Sequence, residues 1–389
     1  MNRRSRAPMA SGLVALGMLA AGCGAASPPV HHTAHSAAVP ATSLNTSVVT
    51  AAGVWAAVVM GGPATQHDNF WQLFIDPVGT SRWKLITPPG TADNGGLVLA
   101  TGGGQSLITA IRPSQLLTFT PLSQTDDAGQ AWSAISPLDA AVAATPAAMA
   151  LQPSGNRLIA LTAGGVVEQG VVGSAAWHVL ATERTIADTA AGRRCGLVAL
   201  TAAAWSGSGQ PLLAGTCARP GRVGVFAYDA GTWHAAGPAL PASLAAQHVT
   251  AVRLEADGSQ TVALVTSLLG QSASLIAAWT SDAGVNWTTS SPLRLHGTAP
   301  ASASFGPGGT IAVITATGTG DLTTSDSGSW QALPALPAGT ATLALQPGGA
   351  VDALAVRAAK LTSWQLQPGS STWLAEQVIP VPIQYGSSS

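Results

Sequence analysis

Thr280-Ser281-Asp282-Ala283-Gly284-Val285-Asn286-Trp287 is the stretch that decides the fold, because variants of it recur along most of the chain, each ending in tryptophan. Thr280, Asp282, Gly284 and Trp287 fit the pattern S/T-x-D-x-G-x-x-W, and Thr125, Asp127, Gly129 and Trp132 fit it at the same spacing. Copies one residue shorter lie at 229–233 and at 324–330, the latter keeping Asp326, Gly328 and Trp330. Asp76, Gly79 and Trp83 hold the residue types at longer gaps, and 173–177 and 369–373 have lost the aspartate, making seven copies in all. A unit this short cannot bury a core alone, so a repeat at this period implies units that stack on one another.

The chemistry of such a turn is local. An Asp carboxylate accepts hydrogen bonds from backbone N–H groups just ahead of it, Gly supplies a positive φ, and Trp packs beneath the turn. Each copy reads as a staple for a β-hairpin, since nothing in it forms a catalytic constellation.

On these residues the chain resembles the Asp-box, or BNR-repeat, β-propellers, a group that includes sialidases, some endoglucanases and photosystem II assembly factors. The resemblance covers roughly 44–385. It implies that the box closes the turn between the third and fourth strands of each four-stranded blade.

The spacing of turns gives the blade count. Gly, Pro and Asp clusters that read as first hairpin turns fall at 52–53, 102–104, 153–155, 207–209, 257–258, 307–309 and 347–349, most of them about fifty residues apart. Runs such as 261–266 (T-V-A-L-V-T) and 311–316 (I-A-V-I-T-A) are apolar on both sides, as expected of strands covered on both faces. The expected fold is therefore all-β: seven four-stranded antiparallel blades at about 44–93, 94–140, 141–187, 188–244, 245–298, 299–338 and 339–385. Helix is expected to be nearly absent, because no window keeps a 3.6-residue apolar period with caps.

The first residues give an address. Arg3, Arg4 and Arg6 precede an apolar run over 9–21, and Cys23 follows Ala20-Ala21-Gly22, which reads as a secretory signal over 1–22. The ending is similar to a bacterial lipobox with Cys23 as the lipid-bearing residue, although Ala20 stands where Leu is usual; simple secretion is the alternative. Residues 23–43 are rich in Ala, Ser, Pro and Thr and read as a flexible tether, leaving 44–389 for the propeller. His31, His32 and His35 lie in the tether with no carboxylate or thiol beside them, so no metal site is expected.

Three of the sixteen Lys and Arg residues fall in the signal, leaving thirteen against seventeen Asp and Glu. That balance argues against a nucleic-acid partner. Cys195 and Cys217 flank a turn-like stretch at 205–210 at nearly equal distances, where opposite residues of an antiparallel hairpin would sit. In an exported protein this spacing reads as a disulfide, the alternative being a reactive thiol.

Sorting charges by turn gives the site expectation. Second-to-third turns hold Arg112, Arg219, Arg222, Arg357 and Lys360, and links between blades hold Arg184, Arg193, Arg194 and Arg294. Asp76, Asp126, Asp127, Asp229, Asp257, Asp282 and Asp326 go to the opposite face. A basic rim at the mouth of a central channel would draw anions such as acidic glycans or phosphate-bearing envelope polymers, while Asp68, Asp93, Asp139, Glu183, Asp188 and Asp321 share that face and blunt its charge. Another membrane protein is the partner that resemblance to the assembly factors implies.

Resemblance to sialidases implies three arginines on a substrate carboxylate, a Tyr–Glu nucleophile pair, an acid/base Asp and an Arg-Ile-Pro motif in the first blade. Here Ile111-Arg112-Pro113 has the order changed and lies in the second blade, Tyr228 abuts a box and Tyr385 is in the tail. The covalent route lacks its nucleophile. A two-carboxylate glycosidase using Asp68, Asp93, Asp139 or Asp321 stays open as the enzyme alternative. No G-x-S-x-G elbow, phosphate loop or dinucleotide fingerprint is present, so no cofactor is expected. The expectation is a lipid-anchored, extracytoplasmic binding or scaffold module.

Overall fold

The computed structural model describes residues 47–61, 69–80, 82–88, 96–112, 117–174, 176–270, 272–357 and 360–381. The expected signal, Cys23, the tether with its histidines, Asp68, Asp93, Pro113 and Tyr385 lie outside the described residues.

The described chain is built almost wholly of strands: β1 (Ser47–Thr50), β2 (Gly53–Gly61), β3 (Asn69–Pro77), β4 (Lys84–Leu85), β5 (Leu97–Thr101), β6 (Leu107–Ile111), β7 (Phe119–Thr125), β8 (Ser133–Asp139), β9 (Ala148–Leu151), β10 (Arg157–Leu161), β11 (Val166–Val171), β12 (Trp177–Thr182), β13 (Leu197–Trp205), β14 (Pro211–Cys217), β15 (Gly224–Asp229), β16 (Thr232–Ala235), β17 (His248–Asp257), β18 (Gln260–Leu269), β19 (Ser272–Thr280), β20 (Thr288–Thr289), β21 (Leu293–Leu295), β22 (Ser302–Gly306), β23 (Thr310–Ile314), β24 (Gly320–Thr323), β25 (Gln331–Ala332), β26 (Thr340–Leu345), β27 (Val351–Arg357), β28 (Lys360–Leu366) and β29 (Leu374–Pro380). Five sheets are four-stranded antiparallel meanders in sequence order: β1–β4, β5–β8, β9–β12, β22–β25 and β26–β29. The remaining nine-stranded sheet contains two consecutive meanders, β13–β16 and β17–β21, joined where Thr216 and Cys217 of β14 pair with Thr250 and Val249 of β17. β20 and β21 both pair with β19 and form one interrupted edge.

In each meander the first-to-second and third-to-fourth turns leave at one end, here termed the turn end. Second-to-third turns and the links between meanders leave at the other, the link end. First turns of neighbouring meanders touch at the turn end. Ala51 N–H donates to Gly104 O at 2.8 Å, Gln152 Nε2 to Gly209 O at 3.2 Å, and Gly308 N–H to Asp257 Oδ2 at 2.6 Å. The approach is close enough to require glycine at two of them: a Cβ on Gly102 would lie 2.2 Å from Gln152 O, and one on Gly207 would lie 2.5 Å from Ser259 Cα.

Hydrophobic clusters fill the gaps between successive sheets. Ile159 and Leu161 of β10 pack with Leu213 and Phe226 from the next meander, and Val262, Leu264 and Leu275 pack with Phe305, Ile311 and Val313. The first sheet packs in the same way on the last: Val54, Ala56, Phe74 and Trp83 meet Ala344, Leu354 and Leu361. Each fully buried side chain of this size contributes about 1.5–3 kcal/mol.

Indoles bridge neighbouring sheets. Trp287 Nε1 donates to Gly284 O at 3.1 Å within its own turn, and to Ala236 O of the preceding meander at 2.7 Å. Trp177 donates to Ser136 O, Trp330 to Ser291 O and Trp373 to Pro334 O, in each case backward by one meander. These tryptophans therefore clamp sheet to sheet as well as closing a hairpin, a role the local reading of the motif does not give. Trp83 of the first sheet donates to Asp352 of the last at 3.0 Å.

Helix is nearly absent, as expected, with one exception, and the placement of the cysteine pair needs correction. The link after β12 folds into two short helices, α1 (Glu183–Ala187), capped by Thr182 in a reciprocal pair with Thr185, and α2 (Ala190–Cys195), capped by Thr189. Each is too short to show a 3.6-residue period, so only the caps could have signalled them. Cys195 and Cys217 are bonded, with Cα atoms 5.0 Å apart, but Cys195 ends α2 rather than sitting in a strand. Leu197 is the residue opposite Cys217.

Candidate functional site

The five expected ligand-face cations all lie at the link end but on three different sheets. Arg112 follows β6 and is half-buried, with its N–H donating to Gly96 O. Arg219 and Arg222 are exposed in the β14–β15 turn. Arg357 and Lys360 face one another across the β27–β28 turn and are both exposed. None of the five takes part in an ion pair among the described residues. Arg294 lies in β21, opposite Ser274, rather than in a link.

Arg357 leads into a cavity of about 460 Å³, lined by Ala335, Pro337 and Ala338 from the β25–β26 link and by Ala355, Thr362, Trp364 and Trp373 from the last sheet. Side chains two apart on a strand share a face. Ala355 pairs with Thr362 and Arg357 with Lys360, so Arg357, Lys360, Thr362 and Trp364 stand on one side of the β27–β28 hairpin. Trp373 is fixed at the groove wall by its bond to Pro334 O at 3.3 Å. A cleft of this volume lined by two half-buried indoles and Arg357, with Lys360 on the same side of the hairpin, is suited to a planar or ring-shaped ligand carrying negative charge. Trp364 is missed when tryptophans are counted only as turn staples. Its spacing from Lys360, an even number of residues along one strand, is the signal that would have placed it.

The space between inner strands β5, β9, β13 and β17 is much smaller, about 40 Å³. It is lined by Thr201, Arg253 and Glu255 among others, and by none of the five cations. Arg253 is buried at 6% exposure, pairs through Nη2 with Glu255 Oε2 at 2.7 Å, and lies 4.5 Å from the centre of the Phe305 ring. Burial lowers its pKa and the Glu255 carboxylate opposes that. The cavity of about 460 Å³, by contrast, lies between sheets.

Of the carboxylates expected for a glycosidase, Asp139 and Asp321 are described. Asp321 is raised above the ordinary carboxylate value by burial alone. Asp139 shares a cavity of about 390 Å³ with Glu168. Burial, and secondarily the charge of Asp139, raise the Glu168 carboxyl. Sequence reasoning missed Glu168, which occurs in a strand pattern with no motif around it.

A second carboxylate pair lies between the first and last sheets. Asp352, 1% exposed, accepts from Trp83 Nε1 at 3.0 Å, Gln346 Nε2 at 2.7 Å and Gln365 Nε2 at 3.0 Å. Gln346 Nε2 also reaches Asp76 Oδ2 at 3.0 Å. Burial raises the Asp352 carboxyl against the pull of those three donors.

At the turn end the recurring motif is a closed hydrogen-bonded unit. Asp282 Oδ1 accepts from Asn286 N–H at 2.8 Å and from Thr280 Oγ1 at 2.7 Å, and Thr280 Oγ1 accepts from Gly284 N–H at 3.1 Å. Thr125, Asp127, Gly129 and Ala131 repeat the arrangement at 2.9–3.0 Å. Ala283 and Ala128 both take positive φ, 56° and 58°. The Asn286 N–H, then Thr280, hold the Asp282 carboxyl down at about 2. The Thr280 hydroxyl, the Gly284 N–H and both nitrogens of Asn286 are thereby paired inside the turn.

No protein-family model matches the chain, and no curated protein matches it either. Solved structures do. A crystal structure of a protein from Lactobacillus plantarum is similar at 12% identity with a TM-score of 0.51, over 84% of this chain and 96% of that one. YCF48 from Cyanidioschyzon merolae is similar at 12% identity and a TM-score of 0.47, over 80% of this chain and 96% of that one. TolB from Acinetobacter baumannii matches at 14% identity and a TM-score of 0.45, over 72% of this chain and 66% of that one, a little under two thirds of its length. Likeness at this identity concerns fold alone. The stacked four-stranded antiparallel meanders, with the likeness to the Lactobacillus plantarum structure, give the chain the fold of a β-propeller.

Proposed function

We propose that the chain closes into a ring of seven blades with Asp-box turns, carried outside the cytoplasm on a lipid at Cys23, and that it binds an acidic glycan or envelope polymer without transforming it. The ring is supported by the packing of the first sheet on the last and by the run of contacts between first turns. The observation that carries the binding reading is the groove in which Arg357 and Lys360 stand on the same side of a hairpin as Trp364, with Trp373 also in its lining. Indoles cover the apolar face of a sugar ring, and the cations meet a carboxylate or phosphate. An array of glycans and envelope polymers probed with the protein at low and high salt tests it. Binding confined to acidic members and weakened by salt is the expected result; no binding to any anion, or binding indifferent to salt, removes the reading.

A second reading is favoured by Asp139 and Glu168. A carboxylic acid raised by burial beside a second carboxylate is the arrangement a glycosidase uses for its acid. Turnover of a panel of chromogenic glycosides, abolished by Glu168→Gln, would establish it. A silent panel leaves the binding module.

A further inference from the structure

The geometry points to the link end of the propeller as a surface that docks on an anionic phospholipid bilayer, with the tip of the β18–β19 hairpin as its apolar wedge. This rests on the reading of the chain as a lipid-anchored module and adds which face meets the membrane.

Three observations converge on that end. Consecutive residues of a strand point to opposite faces of its sheet. In the middle of β18 that makes Leu264 and Val265 fully buried, one on each side. At its end Leu268 and Leu269 are 38% and 62% exposed, so the tip stands clear of neighbours on both faces. Val198 at the start of β13 and Phe119 at the start of β7 are exposed at the same end.

The second observation is the basic surface continuous with this tip. Ser267 Oγ donates to Gln247 Oε1 at 2.6 Å, and Gln247 O accepts from Gly221 N–H at 2.8 Å, in the turn that carries Arg219 and Arg222. Arg219 N–H donates in turn to Cys195 O at the end of α2, whose last turn carries Arg193 and Arg194. Arg294 flanks the hairpin opposite Ser274. All five arginines are exposed, and among the described residues none is in an ion pair. Among the described residues the acids toward this end are Glu183 and Asp188 of the helical link, with Asp139, Glu168 and Asp321 on other sheets, and those three stand away from the tip, whose surroundings stay basic. Apolar side chains ringed by arginines match the acyl boundary and the anionic headgroups of a bilayer.

Third, the chain enters the propeller here. β1 runs from Ser47 toward its first turn at the turn end, so Ser47 lies at the link end, 24 residues after Cys23. A link of 24 residues spans up to about 80 Å when extended, so an acyl group on Cys23 leaves this end free to meet the bilayer.

The test removes the acyl chain, so that failure of lipidation and failure of docking are separate results. The full chain with Cys23→Ser is sedimented with vesicles of phosphatidylcholine alone and with vesicles enriched in phosphatidylglycerol. Binding to the second only is expected. Leu268→Ser with Leu269→Ser, and separately Arg219→Gln with Arg222→Gln, should each weaken it by about tenfold. Because exposed substitutions can still perturb folding, an environment-sensitive dye is also placed at Leu269→Cys and, as the opposite-end control, at Val285→Cys. A blue shift on anionic vesicles at 269 and none at 285 supports the orientation. No vesicle binding by the parent, binding untouched by the leucine pair, or a shift at 285 overturns it. Glycan binding through the Trp364 groove is read independently and can survive any of these outcomes.

Discussion

Trp83 and Asp352, 269 residues apart in sequence, are joined by an indole-to-carboxylate hydrogen bond of 3.0 Å inside the seam between the first and last sheets. Trp177, Trp287, Trp330 and Trp373 each bond back to the preceding meander, and the bond of Trp83 runs from the first meander to the last. Trp83→Phe should destabilise the protein by about 1–3 kcal/mol, because the donor is lost while the carboxylate stays buried. Asp352→Leu should cost more, since it strands donors on Trp83, Gln346 and Gln365. A double-mutant cycle by denaturant titration is expected to give a coupling of at least about 0.5 kcal/mol; additivity would mean the two residues do not act across a closed seam.

The turn units make a separate prediction. Thr280 is buried, and its hydroxyl both donates to Asp282 and accepts from Gly284. Thr280→Val keeps the shape and leaves the Gly284 N–H unsatisfied, for a loss of about 1–2 kcal/mol. Gly284→Ala should be worse, because φ is 91° and a Cβ would lie 2.6 Å from Ala236 O. Equal stability of both variants to the parent would show that the turn does not hold its neighbours.

Acid should act on this protein with two opposite signs. Asp282 is held down at about 2 by its hydrogen bonds, so its contribution is present above 3.8 and disappears as pH falls toward 2. Asp127 is lowered in the same sense, chiefly by the Ala131 N–H. Asp352 and Glu168 are raised by burial, so the folded state takes up their protons first and gains stability as pH falls through their folded values. Thermal unfolding against pH should show the Asp282→Asn variant losing part of the parent's decline on the most acidic limb. An unchanged acidic limb would contradict the role given to that carboxylate.

The disulfide closes a loop with a sequence separation of 22 and anchors α2 against the end of β14. Cys195→Ser with Cys217→Ser should lower stability by about 2–4 kcal/mol. Proteolysis should then cut first in the 183–195 link, whose C-terminal end keeps only the hydrogen bond from Arg219 N–H to Cys195 O and the packing of Ile186 and Ala191 once the disulfide is gone. Initial cleavage elsewhere would show that the helices are held by their packing.

Much of the fold is legible because its determinants are local. The first turns at 52–53, 102–104 and 207–209 lie between the strand pairs where Gly placed them, since a tight turn and a close neighbour both demand that residue. Thr280, Asp282 and Gly284 satisfy one another within five residues, so their spacing alone reveals the unit. What could not be read depends on contacts between sheets. Nothing near Arg253 in sequence announces Phe305, nothing near Glu168 announces Asp139, and the acceptors of Trp83 and Trp287 lie in other meanders. The groove was half legible: Arg357 and Lys360 followed from turn position, whereas the cavity beside them exists only once the 335–338 link is laid against the last sheet.

The most direct measurement of the functional account is a calorimetric titration of the protein with a polyuronate at low and high salt, in parallel with Trp364→Ala and with Arg357→Gln plus Lys360→Gln. The account predicts saturable binding that weakens with salt in the parent, falls by about tenfold or more without the cation pair, and is lost without the indole. Binding that persists at full strength in both variants, or a parent that binds no acidic polymer, would contradict it.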